Sequence, residues 1–264
     1  MGEQSRARGA GGARVAVGDV VLVRWPRGEA LAEVGGERTR VGGLGVFNTS
    51  TLAGTPYGGS LTVGAQSVRL LRPAAADFVR LLRRSAQVIT LKDAGAILTQ
   101  CSIGAGARVV EFGVGSGSLT IVLLHAVGPA GRVLSVDNQP KHIESARRNV
   151  GATPWAGWWE LREGDAAAGV GAVGADAVVM DLPEPWAALP AAREALGPCG
   201  RLASFSPTIN QAERVVLALE EAGFADVRTV ELLERAHAVR RGATRPEFDM
   251  LGHTGYLTFA RRLD

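Results

Sequence analysis

Glu111-Phe112-Gly113-Val114-Gly115-Ser116-Gly117 is the stretch on which the reading of the fold turns. It closes a β-rich run, Arg108-Val109-Val110-Glu111-Phe112, and it opens an apolar segment, Ser118 to Val127, with the character of a helix. A glycine pattern placed between a strand and a helix carries more meaning than the same pattern elsewhere. Gly113, Gly115 and Gly117 let the backbone turn sharply and approach a ligand, and the helix N-terminus offers free N–H groups to a carboxylate or phosphate. A tight turn that holds nothing is the plain alternative for these residues taken alone.

Outward from that turn, strands and helices alternate. Arg132 to Val136 reads as a second strand, Pro140 to Asn149 as a helix, and Ala175 to Met180 as a strand ending in Asp181. Further strands are expected near Arg201 to Phe205, Val227 to Leu233 and Thr254 to Phe259, with a helix from Ile209 to Ala222. This predicts the α/β class, a mostly parallel sheet covered on both faces, over residues 87–264. Upstream, the β-rich runs Val20-Val21-Leu22-Val23 and Ser67 to Leu71 lie among Gly-Gly turns and predict a small N-terminal β domain over 15–72. Pro73 followed by Phe78, Val79, Leu81 and Leu82 at helical spacing predicts a linker helix over 73–86. Residues 1–14 have no period and are expected to be a disordered tail.

The bulk composition narrows the field. A chain of 264 residues with 46% hydrophobic residues can bury a substantial core. No apolar run approaches the roughly 20 residues that cross a bilayer, and the Arg- and Gly-bearing start lacks the apolar centre of a secretory signal. The expectation is therefore a cytoplasmic protein without membrane contact. The two cysteines, Cys101 and Cys199, have no metal-ligand spacing, so no metal site is expected. Net charge is only +3, but the basic residues are nearly all Arg. They cluster at Arg80, Arg83 and Arg84, at Arg235, Arg240, Arg241 and Arg245, and at Arg261 and Arg262. Guanidinium forks grip phosphate at two points, which suits an RNA backbone; solvated helix faces are the other reading.

The spacing Glu-x-Gly-x-Gly-x-Gly differs from the Gly-x-Gly-x-x-Gly of dinucleotide folds and resembles the first motif of class I (Rossmann-like) methyltransferases, which implies S-adenosyl-L-methionine as cofactor. Asp137 ends the second strand about 20 residues after the turn, where an acid accepts both hydroxyls of a ribose. Read alone, Asp137 or Asn138 would be a helix N-cap. Asp165 comes after a third strand where this class holds the adenine amino group; read alone it is a loop acid. His142, in the next helix, is placed to pack on the cofactor or to be an ordinary surface histidine. In Val179-Met180-Asp181-Leu182-Pro183-Glu184-Pro185-Trp186 a strand delivers an acid to the carboxyl edge of the sheet, and two prolines stiffen the backbone immediately after it. A carboxylate there can accept a hydrogen bond from an exocyclic amine, orient a ring nitrogen for in-line attack, and offset the charge that appears on the methylated ring. Trp186 is placed to stack on a base or simply to pack.

Asp181-Leu-Pro-Glu-Pro-Trp186, Pro207-Thr-Ile-Asn-Gln211, Gly252-His-Thr-Gly-Tyr-Leu257 and Ala260-Arg-Arg262, in that order, resemble the tRNA (adenine-N1)-methyltransferase family that acts on the T-loop adenine. The resemblance runs from about Val17 to the end. It implies a methyltransferase domain behind a small β domain, a homotetramer, and methylation at tRNA position 58, with 57 as a further target. It also implies a donor site of Gly113, Gly115, Ser116, Gly117, Ser118 and Leu119, with Asp137 on the ribose, His142 alongside, Asp165 at the adenine, and Asp181 as the catalytic acid that also borders the cofactor. The target nitrogen is inaccessible in a folded T-loop, so base flipping is implied.

The acceptor side departs from the family pattern. Thr90-Leu91 stands before Lys92-Asp93 where Tyr-Pro is usual, Phe205 where tyrosine is frequent, Val114 where threonine is common, and Glu234-Arg235-Ala236 lacks a nearby tryptophan. Two alternatives therefore stand beside tRNA methylation: a small heterocycle or nucleoside as acceptor, and a non-catalytic RNA-binding subunit. Trp155, Trp158 and Trp159 have no assigned task beyond a core or subunit contact.

Overall fold

Val21, Leu22 and Val23 are buried in succession because the strand they form is covered on both edges and both faces. The computed structural model describes residues 14–84 and 87–264; all of the expected tail but Arg14, and residues 85 and 86 of the expected linker, lie outside the described residues. Two units are present, divided between Leu81 and Leu82. The first holds β1 (Val20–Trp25), β2 (Gly28–Glu33), β3 (Thr39–Val41), β4 (Gly45–Phe47), β5 (Ser60–Val63), β6 (Gln66–Leu71) and α1 (Ala75–Leu81). Its main sheet is antiparallel in the order β2-β1-β6-β5, around a core that includes Val21, Val23, Leu52, Val68 and Leu70. The helix predicted over 73–86 is seen as α1 alone. Beyond it, the N–H of Arg83 donates to Asn149 Oδ1, and the carbonyl of Arg83 accepts from Asn149 Nδ2 and Ser145 Oγ, so its backbone groups are engaged by side chains rather than by a helical turn.

The second unit contains α2 (Leu91–Gln100), β7 (Arg108–Phe112), α3 (Ser118–Val127), β8 (Arg132–Asp137), α4 (Pro140–Gly151), β9 (Trp159–Glu163), β10 (Ala175–Met180), α5 (Leu189–Ala195), β11 (Leu196–Ser206), α6 (Ile209–Glu221), β12 (Ala225–Glu231), β13 (His237–Ala238), β14 (Arg245–Pro246) and β15 (Tyr256–Arg261). Seven strands form one sheet in the order β12-β15-β11-β10-β7-β8-β9. From β11 to β9 the neighbours are parallel, and β15 is antiparallel to both β11 and β12. Val109, Val110, Val178, Val179 and Met180 are all buried, as expected where helices cover both faces.

Strand order reverses direction between β7 and β10. The chain winds outward through β8 and β9 on one side and through β11 on the other, and right-handed crossovers then put α3 and α4 on one face and α5 on the opposite one. Such a reversal opens a crevice at the carboxyl ends of the two strands, the place where open α/β sheets bind ligands. Phe112 and Met180 pair across it, so Gly113 and Asp181 leave the sheet side by side.

Several elements differ from the sequence expectation. β11 begins at Leu196, five residues before Arg201, because its first part pairs Leu196 with Ala175 before a register shift takes it to Arg201 opposite Ala177. The small hairpin β13-β14 and the helices α2 and α5 come from stretches whose periodicity is too short or too polar to stand out. Trp155 is buried with its ring tilted against His125, and the indole N–H of Trp159 donates to Ser135 Oγ at 2.9 Å. Among the described residues no helix is long and apolar enough to cross a membrane, and no group of three or more His, Cys, Asp or Glu is placed to hold a metal.

Candidate active site

The glycine turn is shaped by the protein as much as for a ligand. Gly113 has φ of +88°, and a Cβ placed on it would lie 2.1 Å from the carbonyl oxygen of Asp181. Glycine is therefore what allows the ends of β7 and β10 to meet. Gly117, at φ +81°, caps α3 in a left-handed conformation, where a Cβ would press on Val150 and Ala146 of α4. Gly115 is also left-handed, at φ +51°.

Asp137 closes the turn from β8. Its Oδ2 accepts the N–H groups of Val114 at 2.9 Å and Gly115 at 3.2 Å, and its Oδ1 accepts the N–H of Gln139 at 2.8 Å. Two N–H groups that the motif offered to a ligand are thus taken up inside the protein. A carboxylate has about four lone-pair sites, so Asp137 keeps capacity to accept from a sugar hydroxyl. His142 Nδ1 stands 3.4 Å from Asp137 Oδ2. Asp165 caps a short turn, accepting the N–H of Ala167 at Oδ1, which leaves Oδ2 uncommitted.

These residues border one cavity of about 350 Å³, whose wall includes Gly113, Asp137, His142, Asp165 and Asp181. A narrower slot on the other side of the glycine turn is lined by Ile89, Glu111, Gly115, Ser116, Ser118 and Leu119. Gly113 and Asp181 border both spaces, so Asp181 stands where they join. The structure therefore brings ten predicted positions, Gly117 included, to one edge of the sheet. Ser118 Oγ donates to the carbonyl of Ile89, and Asn149 Nδ2 donates to the carbonyl of Ser116, which fixes the walls of the slot.

Electrostatics set this edge apart. Burial, reinforced by the charge of nearby Asp137, pushes the Asp181 carboxyl up to about 7. Glu111, fully buried beneath the turn, is pushed up to about 8, chiefly by burial; hydrogen bonds from Ser135 and Thr120 pull it down, and the charges of Asp181 and Asp137 push it up. Glu111 was not among the expected site residues. The signal was present in its position, since an acid in Arg108-Val109-Val110-Glu111-Phe112 has no exposed face available in a strand buried on both sides.

On the acceptor side, Thr90 Oγ1 donates to Asp93 Oδ2, and Lys92 Nζ donates to Asp93 Oδ1 and to Thr254 Oγ1, which ties α2 to the chain entering β15. Leu91 is exposed, and Phe205 is buried with its ring edge under Gly255. Trp186 lies beneath the guanidinium of Arg214, 3.7 Å from ring centroid to Cζ, and packs on the core. β12 ends at Glu231 opposite Tyr256, which in turn pairs with Ser206 at the end of β11. The segment between Glu231 and Tyr256 thus emerges at the same edge as Asp181, and it carries Arg240, Arg241 and Arg245, all exposed.

The chain is similar in sequence and in fold to known proteins. Residues 67–245 match the family model described as tRNA methyltransferase complex GCD14 subunit. The chain is 33% identical over 218 residues to tRNA (adenine(57)-N(1)/adenine(58)-N(1))-methyltransferase TrmI of Methanocaldococcus jannaschii, covering 73% of this chain and 77% of that one. It is 34% identical over 223 residues to tRNA (adenine(58)-N(1))-methyltransferase TrmI of Thermus thermophilus, covering 82% and 86%. Among solved structures, a SAM-dependent O-methyltransferase from Thermotoga maritima superposes with a TM-score of 0.83 at 26% identity over 96% of both chains. The tRNA (m1A58) methyltransferase TrmI of Aquifex aeolicus does so with a TM-score of 0.75 at 26% identity over 94% of this chain and 98% of that one.

Proposed function

The chain belongs to the tRNA methyltransferase family whose model it matches, and from that premise we propose that it methylates N1 of the T-loop adenine of tRNA, position 58, using the crevice between β7 and β10. The cofactor is S-adenosyl-L-methionine, which when bound supplies a methyl group on a cationic sulfur. The residues present fit it: Asp137, Asp165, Asp181 and Glu184 line the cavity, Glu111 with a buried unpartnered oxygen lines the slot, and no Lys or Arg lines either space. Asp137 holds the ribose hydroxyls, with His142 alongside, and the free oxygen of Asp165 accepts from the adenine amine. Gly113, Gly115, Ser116, Gly117, Ser118 and Leu119 form the wall on the amino-acid side.

Asp181 acts on the substrate. Its carboxylate accepts a hydrogen bond from the exocyclic amine of the target adenine, turns N1 toward the junction of the two spaces, and offsets the positive charge that the methylated ring acquires. The observation that carries this reading is the position of Asp181, on the wall of both spaces at once. Arg83, Arg84, Arg240, Arg241 and Arg245 hold the RNA backbone. A homotetramer working in the cytoplasm completes the reading; light scattering of the purified chain measures the first.

The deciding experiment is mass spectrometry of nucleosides from unmodified tRNA incubated with the purified chain and donor, beside a panel of free nucleosides. N1-methyladenosine in tRNA is expected, with yield falling as salt rises. Methylation of free nucleosides with none in tRNA would replace this reading by the small-heterocycle one.

A further inference from the structure

Glu111 is given no step in the reading above beyond its presence in the wall, yet its surroundings are unusual. One oxygen, Oε2, accepts from Ser135 Oγ at 2.5 Å and from Thr120 Oγ1 at 2.7 Å, and Ser135 Oγ itself accepts from the indole of Trp159. The other oxygen, Oε1, is buried with no hydrogen-bond partner. The residue lines the slot beside Gly113 and Asp181. The groups acting on it are Ser135 and Asp137 from β8, Thr120 from α3 and Asp181 from the end of β10, with Trp159 of β9 bonded to Ser135, and none is a cation.

A buried carboxyl oxygen left bare is costly and calls for an explanation. Here Ser135 and Thr120 satisfy one oxygen and the other has no partner, in a residue that lines a slot whose wall also carries Asp181. Such a group is stable in two conditions: with a proton, or with a cation beside it.

We propose that Glu111 is a charge sensor for the donor, holding a proton in the empty crevice and giving it up when the cationic sulfur is bound, so that the site favours the donor over its neutral-sulfur product. The O–H bond of Glu111 breaks on donor binding, the proton passes to solvent, and it returns once the cation has left. Glu111 is then a specificity residue, and its effect grows or fades with pH. The inference rests on the crevice being the donor site.

Isothermal titration calorimetry of the full chain with S-adenosylmethionine and with S-adenosylhomocysteine, each in two buffers of different ionisation enthalpy, measures the protons released. The donor is expected to release more than the product, and the ratio of donor to product affinity to rise by up to about tenfold per pH unit on approach to pH 8. Both ligands carry the amino-acid ammonium, which the sulfonium makes more acidic in the donor, so the comparison with and without Glu111 isolates the carboxyl. In an Asp181→Asn background, which removes the neighbouring acid, Glu111→Gln should abolish what remains of the difference. Thr120→Val withdraws a hydroxyl that favours the carboxylate, so the rise should move to higher pH, a displacement that a purely structural role would not produce. Equal proton release with and without Glu111, or a ratio flat across about pH 6 to 9, overturns the inference alone. Absence of binding by either ligand overturns the donor site as well.

Discussion

The two edges of the seven-stranded sheet each carry an opening, and they differ in what lines them. At the amino edge a groove of about 690 Å³ is walled by Cys101, Gly106, Arg108, Gly174, Gly200 and Arg201 among others. At the carboxyl edge the cavity is about half that size, near 350 Å³, but Asp137, Asp165, Asp181 and His142 converge on it. The buried thiol of Cys101 is pushed up to about 12 by burial, against the pull of Arg201, so it stays protonated and inert. Asp181 and Glu111 are instead held near neutrality. Volume therefore does not mark the site. Convergent polar groups whose ionisation the fold has altered do, and they gather where strands of opposite winding part.

The contrast between the edges can be tested by substitution. Asp181→Ala should lower single-turnover methyl transfer by a factor on the order of 10² or more while donor affinity changes only slightly. Loss of donor binding with unchanged turnover would remove Asp181 from its catalytic role. Gly113→Ala should cost at least about 2 kcal/mol, since left-handed backbone strain of roughly 1–3 kcal/mol is joined by collision with the Asp181 carbonyl. A thermal midpoint equal to that of the parent would show that β7 and β10 do not need that close approach.

The pH dependence separates the edges next. The catalytic form of Asp181 is the carboxylate, so kcat/KM should fall about tenfold per pH unit below about 7. Stability runs the other way. A carboxyl raised in the folded chain above its unfolded value of 3.8 holds a proton that the unfolded chain has lost, so stability declines as pH climbs from 3.8 to about 7 and the loss is complete above that. Asp181→Asn should therefore melt higher than the parent at pH 8 and show no such gain at pH 4, measured by circular dichroism. An unchanged midpoint at pH 8 would mean that the carboxyl is not destabilised by its surroundings.

The smallest effect is expected at the amino edge. Cys199 is a non-glycine residue at φ +59°, and Cys199→Gly should leave methyl transfer unchanged while stability shifts by no more than about 1 kcal/mol. A large fall in activity would give that groove a function and dissolve the contrast.

Much of the donor side was legible before the fold was seen. Gly113, Gly115 and Gly117 mark a strand-to-helix turn, Asp137 and Asp181 end strands, and a residue that ends a parallel strand has few places to go but the carboxyl edge. A glycine motif does not pick out Glu111, whose environment depends on Ser135 and Thr120, which reach it from a neighbouring strand and a helix, and on Trp159, which holds Ser135 from β9. The acceptor side was harder to read. Phe205, which stands where tyrosine is frequent, is buried with its ring beneath Gly255, a placement that only the fold supplies. Trp186, a candidate for base stacking, lies under Arg214.

Local pattern, by itself, specified the α/β alternation, the turn and the acids, because strand period, glycine freedom and strand-end position are properties of neighbouring residues. Tertiary structure decided the rest. It set Gly113 against Asp181, made Asp137 both a clamp on the turn and a wall of the cavity, and shifted the ionisation of Asp181 and Glu111 by burial, with neighbouring acids adding to it. Those outcomes depend on residues far apart in the chain being brought within a few ångströms in a medium poor in water, and no local pattern encodes that distance.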